Sequence, residues 1–321
     1  MPEAAGPWIA GFDAGQTHTT CRLALLLPDG SWMAQGEGQG SGVSHLAADG
    51  GSARFTAALQ SSLKAALSAT GLSGETPLAG AAIGASGIEA GSPVQQQGTA
   101  LAADCLGLAS PRVVVLGDER TALAGAFGGK AGILVISGTG CIAIGSNAQG
   151  TIHRCGGWGW LLDGAGSAMD IGRDGLALSV QMADGRLRET ALREQLWQAL
   201  GASSAQDVKA AVVAPSFGAA GFARLAPVVD QQALLGDAQA QSVMQHSAEA
   251  LATMVCTIAE ALDLQKPAVC GVGGALDHLR SLQRAFSAAL EQRLPGTKQQ
   301  APAGDACAGA LNLAAQAALR C

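Results

Sequence analysis

Hydrophobic and polar positions follow two different periods along this chain. Short apolar runs at about 8–13, 20–27 and 31–36, separated by turn residues, predict three opening strands in a meander. Residues 37–51 are rich in Gly and Ser and predict a loop. From Ser52 the period changes. Phe55, Leu59, Leu63 and Leu67 recur every fourth position and predict a helix that Gly71 ends. A strand over 78–84 runs into Gly84-Ala85-Ser86-Gly87. A helix over about 93–106 then leads to the strand Val113–Leu116, which ends at Gly117-Asp118. Strands alternating with helices predict a layered α/β fold.

The second half repeats the opening theme. Ile133–Ile136 predicts a strand, Ser137-Gly138-Thr139-Gly140 a Gly/hydroxyl turn, and Cys141–Gly145 a returning strand. Asn147–Gly150 turns into a third strand near 151–155. Strand, Gly/Thr turn and strand thus occur twice, about 120 residues apart, which predicts a topological duplication. Residues 166–264 read as mostly helical. A buried strand at Ala268–Val272, the turn Gly273-Gly274, a helix over 276–293 and a last helix over about 305–319 complete the chain.

Composition narrows the function classes. A chain of 321 residues holds roughly two domains. With 48% hydrophobic and 14% charged residues it builds a core readily and is not expected to be disordered. The net charge of −6, from 19 basic and 25 acidic residues, argues against nucleic acid or an anionic membrane as partner, while a small anion can still be held by backbone dipoles and a metal. No apolar stretch approaches the ~18 residues of a membrane-spanning helix. The start, Met1 to Pro7, lacks the basic and apolar regions of a signal peptide. Cysteines at 21, 105, 141, 155, 256, 270, 307 and 321 form no C-x-x-C pair, which weakens zinc-ribbon and iron–sulfur readings. Their mostly apolar surroundings predict small buried thiols in a reduced, cytoplasmic protein.

The most informative segment is Ile9–Thr19. An apolar run ends in the carboxylate Asp13, followed by a turn with Gly15, Gln16 and the hydroxyls Thr17 and Thr19. Such a turn can offer N–H groups and hydroxyls to an anion while Asp13 holds a cation. It connects strand to strand, and no G-x-x-x-x-G-K-[ST] loop occurs anywhere.

Taken together, Asp13-Ala-Gly-Gln-Thr, Gly117-Asp118, Ser137-Gly-Thr-Gly, Gly156-Gly-Trp-Gly and Gly271-Val-Gly-Gly resemble, in order, the sugar kinase/Hsp70/actin superfamily. More narrowly the chain is similar to the N-acetylglucosamine kinase and BadF/BadG ATPase group, with Gly156–Gly159 as the strongest local match. The resemblance implies two actin-like (ribonuclease H-like) α/β domains with a nucleotide cleft between them. The first would be 1–117, completed by a C-terminal helix at 305–321, and the second 118–304. It implies ATP and Mg²⁺ as cofactors, a small-molecule sugar substrate and a homodimer.

Residue by residue, Asp118 takes the place of the catalytic general base; an N-capping aspartate is the alternative at a helix start. Asp13 would position the hydrated Mg²⁺, with Gly15, Gln16 and Thr17 in the first phosphate turn. Gly138, Thr139 and Gly140 resemble the second phosphate loop, and Gly273 and Gly274 the adenosine loop. On the sugar side, Ser86 and Gly87 match a substrate-lining turn, and Gly157 and Trp158 line the sugar or acyl pocket, with a structural aromatic as the alternative for Trp158. Two positions depart from the family pattern. Ser44, beside His45, stands where these kinases carry Asn. In Asp163-Gly164-Ala-Gly-Ser the family's aspartate falls on Gly164, leaving Asp163 one position early. The sugar therefore stays open between glucosamine, N-acetylglucosamine and related hexoses. Two other readings remain: an activator-type ATPase that drives electron transfer through a bridging iron–sulfur cluster, and a degenerate sugar-sensing protein. His18 and His45 are expected as loop residues, and Arg173 and Asp174 as solvated helix residues.

Overall fold

The structure, a computed structural model, describes residues 6–74 and 76–320. The sequence readings that touch residues 1–5 and Cys321 lie outside them. The contacts divide the chain into two units: 1–130 with 302–321, and 131–301. The sequence placed a boundary after Gly117 and opened the closing segment at 305; the contacts place these breaks after Lys130 and Ala301.

The first unit holds β1 (Trp8–Ala14), β2 (His18–Leu26), β3 (Trp32–Ser41), α1 (Gly51–Thr70), β4 (Leu78–Ala85), α2 (Pro93–Leu106), β5 (Val113–Leu116) and α3 (Asp118–Phe127). The second runs from β6 (Gly132–Ser137), β7 (Cys141–Ser146) and β8 (Ile152–Gly156) through α4 (Ala168–Ala183), α5 (Ala191–Leu200), α6 (Ala205–Val213), α7 (Gly218–Ala223), α8 (Ala226–Leu234) and α9 (Ala238–Ala261). It ends with β9 (Ala268–Val272), α10 (Gly274–His278), α11 (Arg280–Arg293) and β10 (Lys298–Gln299), and α12 (Ala306–Leu319) returns to the first unit. The sheet orders are β3-β2-β1-β4-β5 and β8-β7-β6-β9-β10. In each, the first three strands pair antiparallel and the last two join parallel. The duplication read from pattern is therefore a duplication of topology.

Because β1 is central, both its faces are covered. Ala10, Phe12 and Ala14 pack with Phe55, Leu59 and Ala102 of α1 and α2, whereas Ile9 packs with Ala310, Leu311 and Ala314 of α12. Gly11 lies so close under α12 that a Cβ would stand 2.8 Å from the Cys307 carbonyl oxygen. Helix α3 is bound to α12 in the same way: a Cβ on Gly309 would meet the Thr121 carbonyl oxygen at 1.9 Å, and one on Gly125 the Asp305 oxygen at 2.0 Å. This backbone-to-backbone contact is why α3, and Asp118 with it, belongs to the first unit.

Two elements differ from the sequence expectation for identifiable reasons. The loop expected from residue 37 is strand as far as Ser41. Its Gly36, Gly38 and Gly40 alternate on the face that meets α1, where added Cβ atoms would lie 2.3, 2.1 and 2.3 Å from Thr70, Ala66 and Ser61. Glycine here marks a close helix-on-strand approach. The single helix expected over 276–293 breaks at Leu279, whose backbone is extended. The buried carboxylate of Asp230 accepts from the Ser281 and Arg280 N–H groups at 2.8 and 3.2 Å and so caps α11 across fifty positions of chain. Among the described residues no helix is long and apolar enough to cross a membrane.

Gly38→Ala is expected to lower stability by about 1–3 kcal/mol through overpacking against α1. Gly74→Ala, with nothing within 4 Å of the new methyl, should stay within about 0.5 kcal/mol. Urea unfolding of both variants checks this.

Candidate active site

In the first unit the carboxyl ends of β1, β4 and β5 gather the predicted residues, the edge where open α/β sheets bind ligands. Asp13 shares the α12-facing side of β1 with Ile9 and Gly11, by strand alternation. Its backbone is paired on both sides, with Thr20 and Gly84. The following turn closes through the Gly15 N–H, which donates to the His18 carbonyl at 3.1 Å, and leaves Gln16, Thr17 and His18 exposed. Thr19 departs from the expected turn: it is fully buried, and its Oγ1 has no hydrogen-bond partner. The Val43 N–H donates to the Gly15 carbonyl at 2.9 Å, which draws the Ser44–His45 loop beside the turn.

Asp118 opens α3 after the buried Gly117. Ser86 Oγ donates to Asp118 Oδ2 at 2.6 Å, and the Glu119 N–H donates to Oδ1 at 3.0 Å. Ser86 is itself tied to β1, its N–H donating to the Ala14 carbonyl at 3.2 Å. Gly87 adopts φ +81°, and a Cβ there would stand 2.8 Å from the His45 ring. Ser86, Gly87, His45, Asp13 and Asp118 are thereby brought together. Ser44 turns elsewhere: its Oγ accepts from Arg54 Nε at 2.8 Å.

The electrostatics of this group favour a cation. Burial first, and then the negative charge of Asp118, raise Asp13 above the usual carboxylate range, with Asp305 adding to the effect and His18 opposing it. Carboxylates that repel one another in a half-buried setting supply the hard oxygens that suit Mg²⁺. Among the described residues no group of three or more His, Cys, Asp or Glu is arranged as a metal cage, so a bound Mg²⁺ would complete its shell with water and phosphate oxygens.

In the second unit, the turn after β6 is tight, the Gly138 N–H donating to the Gly140 carbonyl at 2.8 Å, and it leaves Thr139 and Gly140 exposed. Gly273, at φ +97°, lies against it: a Cβ would be 2.6 Å from the Ser137 carbonyl oxygen. Only glycine fits that approach, and it brings together the two turns that the sequence proposes for the nucleotide. Gly274 is exposed beside them, its nitrogen 3.9 Å from where a Gly138 Cβ would stand.

The Gly156–Gly159 segment is held from β8. Arg154 Nη2 donates to the Gly157 carbonyl at 2.9 Å, and its guanidinium lies 5.1 Å from the centre of the Trp158 ring. Trp158 is 67% exposed, followed by the exposed Trp160, Leu161 and Leu162. Asp163 Oδ2 lies 3.4 Å from where a Gly156 Cβ would stand, so its carboxylate borders the glycine turn. A side chain at position 164 would instead start 2.4 Å from Met169 Cε.

Sequence reasoning did not single out Ser137, Gly166 or Asp170. Ser137 Oγ donates to the Gly166 carbonyl at 2.7 Å, and Asp170 is 2% exposed and paired with Arg173. Arg173, half exposed as expected of a helix-surface residue, thus has a buried anion as partner. The one signal available was for Ser137, a polar residue at the end of an apolar run.

Comparisons with known proteins place the chain in a family. An N-acetylmuramic acid/N-acetylglucosamine kinase of Clostridium acetobutylicum is 29% identical over 205 residues, 63% of this chain and 67% of the relative. An N-acetyl-D-glucosamine kinase of Dictyostelium discoideum is 33% identical over 151 residues, 46% of this chain and 47% of the relative. A crystal structure from Chromobacterium violaceum, provisionally assigned as an N-acetylglucosamine kinase, superposes with a TM-score of 0.72 at 28% identity, covering 97% of this chain and 99% of the other. That likeness bears out the α/β fold with two actin-like units. The family model described as BadF/BadG/BcrA/BcrD ATPase matches residues 10–314, and the chain belongs to that family.

Proposed function

We propose that the protein is an ATP-dependent kinase that phosphorylates a hydroxyl of an amino sugar of the N-acetylglucosamine class, in a cytosolic setting. The observation that carries this is Asp118, a half-buried carboxylate fixed by Ser86 at the strand edge that also presents Asp13. With Oδ2 taken by Ser86 and Oδ1 by a backbone N–H, Asp118 is oriented before substrate arrives. It accepts the proton of the attacking sugar hydroxyl as that oxygen bonds to the γ-phosphorus of ATP and the bond to the β–γ bridging oxygen breaks. With the Gly138 N–H committed to the Gly140 carbonyl, the exposed Thr139 and Gly140 of that turn offer their N–H groups to phosphate oxygens, and Gly273 and Gly274 leave room for the nucleoside to lie on backbone. Mg²⁺, held through water by Asp13, would neutralise charge developing on the phosphates. Asp163 hydrogen-bonds a sugar hydroxyl, in place of the aspartate the family carries one position later.

The activator-ATPase reading needs surface thiolates to hold a cluster. Among the described residues every cysteine is buried or half-buried. Burial, followed by the charge of Asp163, pushes the Cys141 thiol up to about 12, away from the thiolate form.

Coupled ADP release, measured across glucosamine, N-acetylglucosamine, N-acetylmuramic acid and glucose, should show turnover stimulated by an amino sugar; stimulation by none of them overturns the proposal. Asp118→Asn should lower kcat by about 10²–10⁴-fold with little change in the KM for ATP, as expected for a lost general base. Full sugar-dependent turnover in that variant would remove Asp118 from the role. Asp163→Asn should act mainly on the KM of the sugar, read from the same assay.

A further inference from the structure

Three turns of the second unit meet at one residue. Ser137, the last residue of β6, is fully buried. Its carbonyl oxygen lies 2.6 Å from where a Cβ on Gly273 would stand, so its backbone touches the candidate adenosine turn. Its side chain reaches the other way, Oγ donating to the Gly166 carbonyl at 2.7 Å, three residues after Asp163. Two more bonds run alongside: the Cys141 thiol to the Ala165 carbonyl at 3.1 Å, and the Ala168 N–H to the Gly138 carbonyl at 2.8 Å. Residues 137–141 and the segment that follows Asp163 are thus fastened to each other by three hydrogen bonds.

The far side of that segment is equally confined. Gly166, at φ +95°, is pressed onto α9, where a Cβ would stand 2.6 Å from Leu251. Its N–H faces the carboxylate of Asp170, which Arg173 holds from the helix surface. Neither segment can shift without straining a bond to the other. Ordering one by its ligand therefore removes part of the ordering cost that the second ligand would otherwise meet.

We infer that the Ser137 hydroxyl is a positioning group that couples the sugar segment to the nucleotide turns, so that nucleotide and sugar each tighten the binding of the other. The inference rests on the kinase reading for the identity of its two ligands. The coupling is a reciprocal linkage: whatever factor the sugar contributes to nucleotide affinity, the nucleotide contributes to sugar affinity.

The test uses the full chain, the nonhydrolysable nucleotide AMP-PNP with Mg²⁺, and N-acetylglucosamine or whichever amino sugar supports ADP release. Calorimetric titration of the wild type should show the sugar lowering the nucleotide Kd about fivefold or more, and Ser137→Ala should bring that ratio below about two. Ser137→Cys, which keeps a weaker donor, should fall between. Independently of any sugar, AMP-PNP should slow amide hydrogen exchange over residues 163–168 in the wild type and not in Ser137→Ala. A wild-type ratio of one, or a Ser137→Ala protein that is folded by its unfolding midpoint and retains both the ratio and the exchange protection, overturns the inference. Should Ser137→Ala fail to fold, Cys141→Ala removes the neighbouring tie and is read in the same two ways. A wild type that binds AMP-PNP but turns over no amino sugar overturns the kinase reading, while the exchange measurement still decides the coupling.

Discussion

In the first unit, helix backbone lies almost directly on sheet and helix backbone. At Gly11, Gly125 and Gly309 a single added carbon would sit within 3 Å of a carbonyl oxygen. These contacts leave no room for side chains and so fix α12 to β1 and α3 to α12. Asp13 is the last residue but one of the strand under α12, and Asp118 begins the helix beside it. The effect of the Asp118 charge on Asp13 is a consequence of that packing. A longer spacer would separate the charges, weaken the case for a cation at the strand edge and free Asp118 from Ser86.

The same strand order serves two chemistries. Each unit has an antiparallel three-strand meander joined by two parallel strands, and each presents a glycine-containing turn after its first strand. In the first unit a carboxylate, Asp13, is the last residue but one of that strand; in the second a hydroxyl, Ser137, is its last residue. The carboxylate is half-buried at its sheet edge, whereas the Ser137 hydroxyl is buried and committed to the Gly166 carbonyl. Duplicated topology supplies two similar platforms, and the side chains near the two strand ends differ in chemistry.

Much of this was legible in the sequence. Apolar runs bounded by turn residues marked nearly every strand, because a strand buried on both faces has no other composition available to it. Asp118 was legible through the resemblance of Gly117-Asp118, after an apolar strand, to a family motif, with an ordinary helix-start aspartate as the alternative. The parts that were not legible depend on partners distant along the chain. Gly36, Gly38 and Gly40 look like loop until α1 is known to press on them. Asp230 caps a helix fifty positions later, and Ser137 reaches Gly166 across two strands and a loop. The end of the first unit at Lys130 is decided by contacts with a helix near the end of the chain. Glycine composition carries two opposite messages, flexibility and close packing, and sequence alone does not separate them.

The discontinuity of the first unit has a consequence for synthesis on the ribosome. The second unit is one uninterrupted stretch, 131–301, and can fold as soon as it has emerged. The first emerges earlier yet lacks α12 until residue 319 is made. Until then the part of β1 and β4 that packs under α12, including Ile9 and Ala82, lacks that cover. The nascent chain thus carries an open apolar sheet face while its later-made half is already complete. That interval is when chaperone binding would matter most to this protein, and it ends only when α12 docks.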